Sequence, residues 1–182
     1  MHPTDSDKVF KTPKPWLKCL CKYGFIDIDG VIKDIDIFAS EFPDIFPETE
    51  LLKTRNSYRV EQQFIDGEEL TSDSLGPLKD QFTNFLRRTQ EMYDTMGIDV
   101  DLFGMKGSIA NYWSFLINKE VKTTLSNFMV DDDGSLHYID QMLLRSSDSG
   151  FCQKFISKII RLNNKILLKL HFSLDPSGEE IS

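Results

Sequence analysis

Residues 77 to 97 constrain the fold more than any other stretch of this chain. After Pro77, the side chains Leu78, Phe82, Phe85, Leu86, Thr89, Met92, Tyr93 and Met96 recur at steps of three and four residues, the spacing of one helix face. Gly97 follows as the residue expected just past a helix end. A long amphipathic helix with so many aromatic and aliphatic positions requires a packed body beside it. The composition supplies one: 40% of the 182 residues are hydrophobic and 14 are Phe, which fills a core without needing a polar partner.

The last long run has the same period and a different character. From Phe151 to about Phe172 the cations Lys154, Lys158, Arg161, Lys165 and Lys169 fall on one stripe, with no acid among them. Beside the stripe lies an apolar face of Phe151, Phe155, Ile156, Ile159, Leu162, Ile166, Leu167 and Leu170. The chain as a whole carries −8, so this helix is a basic island in an acidic protein. Two uses follow: a core helix whose lysines are solvated or face acids of the body, or a recognition helix for a partner.

The remaining periodicities are shorter. Pro13 and Pro15 open a helical stretch with Trp16, Leu17, Leu20 and Cys21 on one face. Residues 48 to 53 read as one or two helical turns and residues 57 to 65 as a strand. Helices are expected over residues 108 to 118, carrying Ile109, Tyr112, Trp113, Phe115 and Leu116, and over 120 to 129, carrying Val121, Leu125 and Phe128. Ser, Asp and Gly at 71 to 76 mark a boundary between an N-terminal lobe, 13 to 70, and a C-terminal lobe, 77 to 172. Residues 1 to 12 and 173 to 182 read as flexible ends. The expected class is mainly α, with α+β as the alternative.

Two segments repeat one arrangement of aspartates. Residues 25 to 36, FIDIDGVIKDID, and 129 to 140, MVDDDGSLHYID, share Asp at positions 3, 5 and 12, Gly at 6 and a branched apolar residue at 8. Calcium takes about six to eight oxygens, and a twelve-residue loop supplies them from alternating positions, with Gly at position 6 for the turn. On these residues the chain resembles the EF-hand family, in particular calmodulin-like proteins and myosin light chains. That resemblance implies two EF-hand-like lobes with short strands and a weak calcium or magnesium sensor. Its ligands would be Asp27, Asp29, Asp36, Asp131, Asp133 and Asp140. Phe25 and Met129 replace the first carboxylate of each loop and Asp replaces the usual Glu at position 12, which weakens the binding implied. The plainer alternative for both loops is an Asp-Gly turn with solvated neighbours.

The string GFIDIDGVI also resembles the first motif of haloacid dehalogenase-type phosphatases. The resemblance implies Asp27 as nucleophile, Asp29 as general acid and base, and magnesium, with Lys122 and residues 131 to 133 in the later roles. Residues 70 to 172 lack the strand and helix alternation of a doubly wound sheet. No Gly-x-Ser-x-Gly, phosphate-binding glycine loop or His-Glu-x-x-His is present, and His2, His137 and His171 are scattered.

The charge balance of 21 bases against 29 acids argues against a general nucleic-acid binder. Three cysteines suggest no secreted disulfide framework, and no run reaches the roughly 18 apolar residues of a membrane span. A cytoplasmic location is the expectation. The function expected is that of a non-enzymatic binding or adaptor protein. Its partner-binding residues would be Lys154, Lys158, Arg161, Lys165, Lys169 and Trp113, the aromatic acting as an anchor.

Overall fold

The structure is a computed structural model. It describes residues 8–13, 15–55, 57–104, 107–109, 111–112, 124–140, 143–145 and 151–180. The elements in chain order are β1 (Lys8–Lys11), α1 (Pro15–Lys22), α2 (Ile28–Glu41), β2 (Thr49–Thr54), β3 (Ser57–Gln63), β4 (Gly67–Thr71), α3 (Lys79–Met96), β5 (Ile98–Val100), β6 (Thr124–Asp131), β7 (Leu136–Tyr138), β8 (Leu143–Arg145) and α4 (Phe151–Phe172). One 3-10 turn, Gly76–Leu78, leads into α3.

The architecture corrects the mainly α expectation. The described residues are 47% helical and 27% strand, a mixed α+β fold with two three-stranded antiparallel sheets, ordered β1-β3-β2 and β4-β6-β7. A two-stranded ladder, β5 with β8, adds a third pairing. EF-hand lobes built of helix pairs are therefore not the organisation of the described residues. Three local readings change with the class. Residues 48 to 53, read as helical turns, fall almost wholly in edge strand β2 (Thr49–Thr54), paired with β3 from Thr49↔Gln62 to Thr54↔Ser57. Residues 8 to 11, read as loose, pair with β3 on its other side. Residues 124 to 129, read as the end of a helix, belong to β6, the central strand of the second sheet.

The long helices stand where the period places them. In α3, Phe82, Phe85, Leu86, Thr89 and Met92 are buried, and Gly97 caps the helix at φ 70°, donating its N–H to the Tyr93 carbonyl. A φ of that sign suits glycine, which has no Cβ to clash. Residues 23 to 27 form a turn that leads into helix α2. Asp27 is its N-cap, accepting the Asp29 N–H at 3.1 Å and so satisfying a donor the first turn leaves unpaired.

Phe85 of α3 is the hub of an aromatic core. Its ring centroid lies 5.3 Å from Phe42, 5.1 Å from Phe128 and 5.5 Å from Tyr138, joining α2, α3, β6 and β7. Phe38 stacks on Phe42 at 4.4 Å. Two buried polar ties cross the same region. Lys11 of β1 donates to Gln62 Oε1 and to the Ile139 carbonyl, both at 2.7 Å, and burial lowers its pKa. Arg145 of β8 donates through Nε to Asp34 of α2 at 3.0 Å, while burial holds the Asp34 carboxyl above its usual range against the pull of the arginine. Strand β4 and helix α3 lie on either side of the 71 to 76 turn, and both contribute to one apolar cluster with β6, β7 and α4.

Beyond α4 the chain turns back instead of trailing away. Leu174 is buried and bridges Glu180, Asp175 accepts the N–H groups of Ser177 and Glu179, and Lys79 pairs with Glu180.

Candidate functional site

The two aspartate segments do not share a structure. In the first, Asp27 caps α2, Asp29 pairs with Lys53 at 2.6 Å, Gly30 lies within the helix and Asp36 is exposed on it. The residues before Asp27 form the turn after α1, so no apolar strand delivers that carboxylate as the phosphatase pattern implies. In the second, residues 131 to 136 are the tight turn of the β6–β7 hairpin. Asp131 Oδ1 accepts the Ser135 N–H at 2.8 Å, and Gly134 takes φ 77°. Asp133 is exposed, and Asp140 accepts from Asn127 Nδ2 at 3.0 Å. One pattern thus makes a helix cap in one place and a hairpin turn in the other, because each Asp binds whichever backbone N–H lies two to four residues ahead. The repeated arrangement is therefore not a repeated structure. Among the described residues no group of three or more His, Cys, Asp or Glu is placed to hold a metal ion.

Asp131 has a partner that sequence reasoning missed. His137 Nε2 lies 2.8 Å from Asp131 Oδ2, and this contact, with the Ser135 N–H, holds the Asp131 carboxyl below its usual range. The pair sits on the wall of a cleft of about 640 Å³, with Phe46, Phe64 and Ile65 as apolar lining and Glu48 and Asp66 among its acids. The signal was the i, i+6 separation across a two-strand hairpin, which becomes visible only once 124 to 131 is read as a strand.

Helix α4 presents the larger feature. Its inward side is partly polar: Gln153, Ser157, Ile160, Asn164, Leu167 and Leu168 are buried. Ser157 and Asn164 meet the β5 region. Ser157 donates to Asp99 Oδ2, and Asn164 donates to the Val100 carbonyl at 2.7 Å and accepts the Leu102 N–H at 3.3 Å. Arg161 turns the same way. Its guanidinium stacks on the Tyr93 ring at 3.6 Å, donates to Gln90 Oε1 at 3.1 Å and reaches Asp99 Oδ1 at 3.5 Å. Burial pushes the Asp99 carboxyl above its usual range, and the Ser157 and Arg161 contacts oppose that push.

The outward side is where the sequence placed the core. Phe151 is 83% exposed, Phe155 56%, Leu162 58%, and Ile159, Ile166 and Leu170 are exposed with them. Lys154, Lys158, Lys165 and Lys169 are exposed beside this row. Four of the five cations thus share the solvent face with the apolar residues, while Arg161 is spent on docking the helix. Trp113 and Lys122 lie outside the described residues, as does the expected helix beyond residue 112.

No family model matches this chain, and no curated protein or solved structure is similar to it. The reading of function therefore rests on the residues. Among the described residues no helix is long and apolar enough to cross a membrane.

Proposed function

We propose that the protein is a non-enzymatic binding module whose recognition element is the outward face of α4. The observation that carries this reading is the exposure of Phe151, Phe155, Ile159, Leu162, Ile166 and Leu170 along one side of a helix whose opposite, partly polar side is buried. Contiguous apolar rows of this kind are rare on monomer surfaces and mark interaction sites. The cost of leaving such side chains in water, about 1.5–3 kcal/mol each relative to full burial, is recovered when a partner covers them. The lysines alongside supply orientation and on-rate more than affinity.

The test is a double substitution confined to the exposed row, Phe155→Ser with Leu162→Ser. Its circular dichroism and melting temperature should match the parent, since neither side chain is buried. In a side-by-side retention assay, proteins held by the parent should be released by the variant. Identical retention on both would refute the reading.

A further inference from the structure

Resting on that reading, we infer that the occupant of the α4 face is an acidic amphipathic helix of a partner protein. Phe155, Ile159, Leu162 and Ile166 follow one another at steps of four, three and four, the spacing of a seam that packs helix on helix. Lys158 and Lys165, seven residues apart and both exposed, border the same edge of that seam, with Lys154 and Lys169 extending the row. The face from Phe151 to Leu170 is about 28 Å long at the helical rise of roughly 1.5 Å per residue. That length matches a partner helix of about 20 residues.

Charge selects among occupants. No acid occurs from Phe151 to Phe172, so a second copy of α4 laid antiparallel on this seam would set lysine against lysine, and one laid parallel would offer Lys158 and Lys165 no carboxylate. A partner with carboxylates seven residues apart beside its own apolar seam would instead pair with Lys158 and Lys165. An anionic lipid surface would share the attraction to the lysines, but it would also face the rest of a chain that carries −8 overall. A single helix on the seam senses only charges within about 8 Å, roughly one Debye length at physiological salt. The acidic body therefore opposes a membrane more than it opposes a helix.

The probes are two synthetic 21-residue peptides with Leu at the a and d positions, one with Glu and one with Lys at e and g, and vesicles of phosphatidylserine and phosphatidylcholine. Titrated into the full chain by fluorescence anisotropy, the Glu peptide should bind and the Lys peptide should not. Raising the salt should weaken binding, and Lys158→Glu with Lys165→Glu should weaken it about tenfold, which corresponds to about 1.4 kcal/mol. Equal binding of both peptides, binding of neither, or binding to vesicles alone would overturn the inference. The broader proposal fails differently: there, Phe155→Ser with Leu162→Ser leaves partner retention unchanged. If that variant loses its partner while the charge reversal keeps it, the face binds but its occupant is not acidic.

Discussion

Replacing Asp99 tests the contact that decides which side of α4 faces out. Asp99 is 6% exposed and receives the Ser157 hydroxyl, which is wholly buried, and the more distant Arg161 guanidinium. In Asp99→Ala the buried hydroxyl loses its acceptor, a loss of about 1–3 kcal/mol. Arg161 is 35% exposed and keeps Gln90 and Tyr93, so its share is that of a solvent-screened pair, about 0–1 kcal/mol. Removing a carboxylate whose ionisation is opposed by burial offsets part of both. The expected net is about 2 kcal/mol, or a melting temperature lower by roughly 4–8 °C for a chain of this size. Asp99→Asn can still bond Ser157 and carries no charge, so it should cost less than about 1 kcal/mol.

The pH profile sharpens the comparison. The Asp99 carboxyl lies above its ordinary 3.8, so the folded state holds the proton more tightly than the unfolded state does. Its contribution is complete below 3.8 and is lost as pH rises through the folded-state value. Asp34 is raised as well and slopes the same way, but it is present in both proteins and cancels in the difference. Urea unfolding followed by circular dichroism from pH 3 upward should show Asp99→Asn gaining on the parent as pH rises. Asp99→Ala within about 0.5 kcal/mol of the parent, the range of an ordinary surface substitution, would refute the account of the docking. So would equal costs for Ala and Asn.

Two further substitutions probe the scaffold. Phe85→Ala removes the ring shared by Phe42, Phe128 and Tyr138 and should cost about 3–5 kcal/mol in urea unfolding. Gly67→Ala would place a Cβ 2.2 Å from the Val130 carbonyl oxygen, so the Gly67↔Asp131 end of the β4–β6 ladder must separate. Its cost should be at least about 1–3 kcal/mol, the usual range for overpacking, with amide exchange rising selectively in β4.

The helices were legible because their period is sustained: α3 shows five turns of inward side chains and a glycine cap, and α4 is uninterrupted from Phe151. Strand β6 was misread for a specific reason. Leu125 and Phe128, three residues apart, are both buried, which looks helical. Their spacing comes instead from an irregularity in the ladder, where Leu70 pairs with Leu125 but Glu69 pairs with Met129. The extra residues are used: Ser126 and Asn127 donate to the carbonyls of Phe103 and Asp101. Such a bulge resets the alternation of a strand and cannot be read from hydrophobicity. The exposed face of α4 was legible in its residues and not in its orientation. Hydropathy sends Phe155 and Leu162 inward, whereas Ser157 and Asn164 bind groups of the β5 region that need partners, and the helix follows them. The His137–Asp131 pair and the Asp34–Arg145 tie depend on strand pairings and distant contacts that no local pattern announces.

The position of β6 at the centre of its sheet also sets a schedule for the growing chain. The strands of the first sheet lie within residues 8 to 63 and can pair as soon as they emerge. Strand β4 and the inward row of α3 are made next, yet their cover, Leu125 and Phe128, comes more than fifty residues after Thr71. At roughly 5–20 residues per second, Leu70 and Phe82 lack this cover for seconds during synthesis, and Phe85 has its α2-side contact with Phe42 but not yet Phe128. The carboxyl-terminal half is thus the step that commits the molecule, and the interval before it is when a nascent chain most needs protection from its neighbours.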